Sequence, residues 1–120
     1  MARTGDLKTV VWDAPDITAL ADFYVNVAGL TQLDGDDEWI TLTGPDGWRF
    51  AVQYAPDHVP PRWPDPAYPQ QFHLDVTVQD VDEAERAALG IGATKLDGAG
   101  PNWRVYADPV GKPFCLVWEA

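Results

Sequence analysis

A chain of 120 residues supports one domain large enough to bury its own core without disulfide or metal staples. Its 19 acidic residues against 8 basic ones give a net charge of −11 with histidine neutral. That excludes nucleic acid as a partner, because such binding works through basic side chains that release counterions from phosphate, and it sets the chain against anionic membranes.

The plain reading of the charge is a solvated surface; attraction of a cationic ligand is the sharper one. Cys115 is the only cysteine, which excludes a disulfide framework and a thiolate zinc cluster. No N-terminal apolar stretch reads as a leader and no apolar run approaches membrane-spanning length, so a soluble cytoplasmic protein is expected.

In chain order, Leu7 to Asp13 is β-rich, Ala14-Pro15-Asp16 breaks it, and Asp16 caps a helix carrying Ile17, Leu20, Phe23, Tyr24 and Val27 at helical spacing. Gly29 stops that helix. A weak strand near Thr31 to Leu33 precedes an alternating strand from Glu38 to Thr43, a turn at Gly44-Pro45-Asp46-Gly47, and a strand from Trp48 to Tyr54. The order is β-α-β-β-β.

The same order returns after residue 70. Gln71 to Val78 reads as a strand, and Asp80 with Glu83 reads as a capping box for a helix ending near Gly90. Strands follow at Ala93 to Leu96, Trp103 to Ala107 and Pro113 to Trp118, the last after an Asp108-Pro109-Val110-Gly111 turn. One ungapped offset of 64 residues superposes Asp16 on Asp80, Trp39 on Trp103, Pro45 on Pro109, Gly47 on Gly111 and Phe50 on Phe114. The matches fall on a helix cap and a strand-turn-strand, so the chain reads as a duplicated module. Module one spans about 6–55 and module two about 70–119, within one domain over 1–120. The connection at 56–69 holds six of the 11 prolines and is expected to be extended and stiff, with Trp63 and Tyr68 either folded over a pocket mouth or, the preferred reading, packed on the outside.

Side chains alternate across a strand. Phe72, Leu74, Val76 and Val78 make an apolar face that belongs under a helix, and His73, Asp75 and Thr77 make the opposite one. By the same alternation Thr9, Asp13, Trp39, Thr41, Gln53, Trp103, Val105 and Cys115 fall on a concave side, whereas Trp12 and Trp118 face the core. Trp48 sits at a strand edge. A concavity lined by tryptophan, threonine, glutamine, histidine and aspartate reads as a small-molecule cleft.

The paired βαβββ modules, the helix Asp16-Ile-Thr-Ala-Leu-Ala-Asp-Phe-Tyr24 and the closing Asp108-Pro-Val-Gly-Lys-Pro-Phe-Cys115 carry a resemblance to the vicinal oxygen chelate superfamily, the glyoxalase, bleomycin-resistance and extradiol dioxygenase group. The linker Pro60-Pro-Arg-Trp63 and the segment Gln70-Gln-Phe-His-Leu-Asp75 look like its glyoxalase-like subgroup. The resemblance implies an α+β fold whose two pseudo-symmetric modules form a curved mixed sheet around a cleft, and a homodimer. Metal-dependent members place ligands at the start of each module's first strand and on each last strand. Those positions carry Thr9, Ala51 (or Gln53 on the same face), His73 and Cys115.

Only His73 and Cys115 are good donors in that set, short of the three a catalytic zinc takes, so no metal is favoured, although a divalent ion through that pair is possible. Two histidines, one of them His58 in the linker, do not make the iron triad of a ring-cleaving dioxygenase. The expected function is therefore metal-independent binding of a toxic or aromatic small molecule, as in the bleomycin-resistance branch. The alternative is a lyase, isomerase or hydrolase using His73 as acid/base, with Asp75 as its orienter.

Overall fold

The computed structural model describes residues 4–119. The chain forms two compact units that divide after Pro56, and each repeats one plan.

In the first unit, β1 (Val10–Ala14) leads into α1 (Ile17–Ala28), followed by β2 (Thr31–Gly35), β3 (Trp39–Thr43) and β4 (Arg49–Tyr54). The sheet order is β1-β4-β3-β2, with β1 parallel to β4 and the other pairs antiparallel. Asp16 caps α1 by accepting a hydrogen bond from the Ala19 amide at 3.0 Å, and Gly29 ends it in the left-handed conformation, φ 67°. The helix buries Ile17, Leu20, Ala21, Phe23 and Tyr24. Tyr24 meets Trp12 with ring centroids 4.3 Å apart, and Trp12 meets Phe50 at 4.9 Å, so the core of this unit is aromatic.

The second unit runs β5 (Leu74–Thr77), α2 (Val81–Gly90), β6 (Thr94–Gly100), β7 (Trp103–Ala107) and β8 (Pro113–Val117), in the equivalent sheet order β5-β8-β7-β6. The first residues of the first strand, the helix, β3 and β4 each reappear 64 positions on, which confirms the duplication read from five scattered identities. Asp80 accepts from the Glu83 amide at 3.2 Å. The buried Asp108 closes the last turn by accepting from the amides of Val110 and Lys112 at 3.0 and 2.9 Å, and Gly111 adopts φ 99° there.

Three expectations are corrected. The second module's first strand begins at Leu74 rather than Gln71; the register that sets Leu74 beside Phe114 would set His73 beside Pro113, which has no N–H to give. The strand expected at Ala93 to Leu96 continues to Gly100, because a register shift between Lys95 and Ala99 lets it resume pairing with β7. The linker is not extended over its second half. Asp65 bends it by accepting from the Ala67 amide at 2.9 Å, and the Arg62 amide donates to the Tyr68 carbonyl at 2.8 Å. Arg62 then stacks on the Tyr68 ring at 4.3 Å.

The two helices bury different chemistry. Only Ala88 of α2 is buried, and its sheet-facing side carries ions. Glu85 accepts from the hydroxyl of the fully buried Tyr106 at 2.7 Å and pairs with Lys95 at 3.0 Å and Arg104 at 3.4 Å; Arg104 also reaches Asp82 at 3.1 Å. The Tyr106 hydrogen bond, then Lys95, hold Glu85 below its ordinary pKa of 4.5.

A carboxylate whose pKa is depressed on folding contributes stability that is whole above the unfolded value and is lost as pH falls through the folded one. Urea unfolding of the wild type should therefore weaken as pH drops below 4.5. Glu85→Gln, which keeps an acceptor for Tyr106, should flatten that part of the profile; an unchanged acid slope would remove Glu85 from the account.

Among the described residues no helix is long and apolar enough to cross a membrane.

Candidate functional site

The strand register of the second unit gathers one set of side chains. In the parallel pair, Asp75 stands beside Cys115 and Thr77 beside Val117; in the antiparallel pair, Val105 stands beside Cys115 and Trp103 beside Val117. Paired residues point to the same side of a sheet, and His73, two residues before Asp75, follows suit. A cavity of about 520 Å³ opens on this face, lined by His73, Asp75, Trp103, Val105, Cys115 and Val117, with Trp63, Gln70 and Asn102 completing it. That volume suits a drug-sized ligand.

Five residues expected on a concave side thus share one cavity: His73, Asp75, Trp103, Val105 and Cys115. Trp63 takes the less favoured of its two expected placements and lines the cavity, held there by its Nε1, which donates to the Asp97 carbonyl of β6 at 3.2 Å. The wall at Trp103 depends on Gly100 of β6. A Cβ there would overlap the Trp103 indole.

At one end of the lining, His73 Nε2 lies 3.3 Å from Asp75 Oδ1, with both side chains about half exposed. Burial, and then the neighbouring Asp75 carboxylate, push the Cys115 thiol up to about 11. At neutral pH it is a protonated, unreactive thiol rather than a ready nucleophile. The ligating atoms of His73, Asp75 and Cys115 all lie within 4.8 Å of one another. Imidazole nitrogen, carboxylate oxygen and cysteine sulfur together fit a borderline-soft divalent ion such as zinc, with a position left open for water or a ligand. The sequence reading had counted two donors here; the β5–β8 register supplies the third.

The other expected residues lie in the first unit. Thr9, Trp39 and Thr41 line a separate hollow of about 510 Å³ with Lys8, Asp34, Asp36 and Arg49. Asp36 accepts from the Glu38 and Trp39 amides at 2.8 and 2.9 Å, and Trp39 Nε1 donates to Thr41 Oγ1 at 2.9 Å, so this tryptophan is pinned along its own strand. Asp13 and Gln53 are register partners between β1 and β4 and line neither hollow. Ala51 is fully buried and offers no donor.

Gln70, Asn102 and Trp63 were not read as site residues. The signal for Asn102 was its place beside Trp103, and that for Trp63 was an aromatic in a proline-rich segment; neither indicates a direction.

Residues 9–117 match the family model described as a glyoxalase-like domain. Among curated proteins none matches the chain. Solved structures share the fold. One is a glyoxalase/bleomycin resistance protein/dioxygenase family enzyme from Burkholderia phytofirmans PsJN, 18% identical, covering 95% of this chain and 98% of that one with a TM-score of 0.75. A second, described as a possible glyoxalase from Bacillus cereus, is 17% identical with coverage of 96% and 99% and a TM-score of 0.72. The fosfomycin resistance protein FosX from Listeria monocytogenes is 12% identical, with coverage of 98% and 94% and a TM-score of 0.71.

Proposed function

The chain belongs to the glyoxalase-like domain family, and we propose that it is a small-molecule-binding protein whose second module takes a flat, neutral or cationic ligand. The observation that carries this is the make-up of the module-two cavity: two tryptophans, two valines and one carboxylate, with no lysine or arginine in the lining. Tryptophan faces attract aromatic and cationic groups. The net charge of −11 adds a field of the same preference. Sequestration without chemistry, of the kind the bleomycin-resistance name describes, needs no more than such a cavity. The protein is taken to act in the cytoplasm, and the superfamily resemblance implies that it does so as a homodimer.

The test is a titration of the purified protein, followed by tryptophan fluorescence and calorimetry, with cationic aromatic antibiotics, bleomycin among them, and with fosfomycin as a small anionic counter-probe. Aromatic cations should quench and bind, and fosfomycin should not. Binding of fosfomycin alone, or no response to any aromatic cation, would overturn the reading.

One observation favours a second reading. The His73–Asp75 contact of 3.3 Å is the arrangement of a base with an orienting carboxylate. A glyoxalase-like lyase or isomerase, or a hydrolase, would use His73 to move a proton on the bound molecule. Conversion of a ligand in the same titration, abolished in His73→Ala while binding persists, would decide for it.

A further inference from the structure

The hollow on the first unit's sheet has a charge pattern of its own. Lys8 and Arg49 both line it, and from Thr4 to Pro56 they are the only basic residues in an otherwise acidic stretch. Among the described residues neither forms a salt bridge, whereas Lys95 and Arg104 of the second unit both pair with Glu85.

The sheet order β1-β4-β3-β2 sets the two signs apart. Lys8 stands two residues ahead of β1 and Arg49 opens β4, so the cations gather on that side; Asp34 lies on β2 and Asp36 just after it. Thr41 of β3 pairs with Asp34 on one side and with Ala51 on the other, and Arg49 precedes Ala51 by one full pleat. All of these therefore project to one face. Because β2 and β4 both flank β3, they run about 9–10 Å apart. Asp36 is already engaged by the Glu38 and Trp39 amides, so Asp34 is the carboxylate open to a ligand. Between the poles lies Trp39, whose Nε1 donates to Thr41 Oγ1. Its ring face is left as an apolar floor, and the Thr41 hydroxyl keeps its proton to donate.

We infer that the first module binds a zwitterionic small molecule of the class of an ω-amino acid or a dipeptide, its acid group at Lys8 and Arg49 and its ammonium group at Asp34. A simple anion would meet Asp34 and Asp36, and a simple cation would meet Lys8 and Arg49; only a ligand with one charge at each end avoids a like-charge contact. The guanidinium of Arg49 matches a carboxylate in bidentate geometry. A zwitterion has no net charge, so the protein's −11 does not repel it as a whole. None of Lys8, Arg49 and Asp34 stands at a position that the superfamily resemblance marks for ligands. The site lies in the other module from the aromatic-ligand cavity and does not rest on that reading.

The whole chain is titrated by calorimetry, at low salt, with 6-aminohexanoate, hexanoate and hexylamine, and with glycylglycine as the dipeptide. The two zwitterions should bind at one per chain, and hexanoate and hexylamine more weakly. Arg49→Gln and Asp34→Asn should each lower affinity for 6-aminohexanoate by about threefold or more, as expected for solvent-exposed charge pairs. Arg49→Gln should also erase the preference over hexylamine, and Asp34→Asn the preference over hexanoate, effects that a loss of fold would not produce. Both residues are exposed, so both variants should keep the wild-type circular dichroism. Arg86→Gln, a charge change on α2, should leave affinity unchanged.

Hexanoate or hexylamine binding as tightly as 6-aminohexanoate overturns the two-pole assignment, and no binding of either zwitterion overturns the site. Affinity lost in Asp75→Asn but kept in Asp34→Asn would put the ligand in the second module and overturn it as well. A protein that binds aromatic cations but neither zwitterion would refute this site and leave the aromatic-ligand reading standing.

Discussion

Phe50→Ala is expected to lower the unfolding free energy by about 3–5 kcal/mol, the range for removing a large aromatic side chain from a close-packed interior. Phe50 is 2% exposed and stands where three other rings meet: Trp12 at 4.9 Å, Tyr24 at 5.9 Å and Trp48, stacked on it, at 5.6 Å. Truncation removes the transfer energy of the ring and leaves a void, and Trp12, built into β1, and Tyr24, built into α1, cannot collapse to fill it. Phe72→Ala is the internal control. That residue is 42% exposed, so its truncation removes less buried apolar area and should cost clearly less than that of Phe50. Urea unfolding with a shared slope reads both. A Phe50→Ala cost no larger than that of Phe72→Ala would mean that the aromatic cluster is not what holds the first module together.

The features legible beforehand were those a local pattern dictates. Period-two alternation placed Leu74 and Val76 on one face and Asp75 on the other without any knowledge of strand order. Aspartates at positions 16 and 80 each announced a helix because an Asp side chain satisfies an amide that the helix leaves unpaired. The duplication was legible because both modules must solve the same turn after their third strand, with glycine at positions 47 and 111, where φ is 81° and 99°.

What stayed illegible was pairing across distance. Alternation put Asp75 and Cys115 on like faces, but that they are neighbours follows only from the parallel β5–β8 register. The concave residues of the two modules read as one group in sequence; within the second unit His73, Asp75, Trp103, Val105 and Cys115 line a hollow, within the first Thr9, Trp39 and Thr41 do, and Asp13 and Gln53 line neither. Trp63 was misplaced because its direction is set by a hydrogen bond to a carbonyl 34 residues away, and the linker was read as stiff because its prolines outweighed the one aspartate that bends it.

Gly100→Ala should decide whether Trp103 is a binding surface, with little cost to the fold. A methyl group at this position would sit inside the Trp103 indole, well below contact distance from its Nε1, Cε2 and Cδ1 atoms. The backbone at Gly100 has no positive φ, so alanine brings no strain of its own. Something must shift, and the easier partner is the ring, because Trp103 is 37% exposed and free to swing outward about its side-chain torsions. Stability should then change by under about 1 kcal/mol, while the cavity loses an aromatic wall.

Stacking on one aromatic face is worth about 0.5–1.5 kcal/mol beyond burial, and a cation over tryptophan adds up to about 2 kcal/mol when desolvated. Affinity for the tightest aromatic cation of the panel should therefore fall about tenfold, equal to about 1.4 kcal/mol. The freed indole should also emit further to the red and become more accessible to acrylamide. Gly90→Ala, whose added methyl meets open space, should match the wild type in affinity. Unchanged affinity in Gly100→Ala, with the emission shift present, would mean that Trp103 borders the cavity without contributing to recognition, leaving Trp63 and the His73 end to carry it.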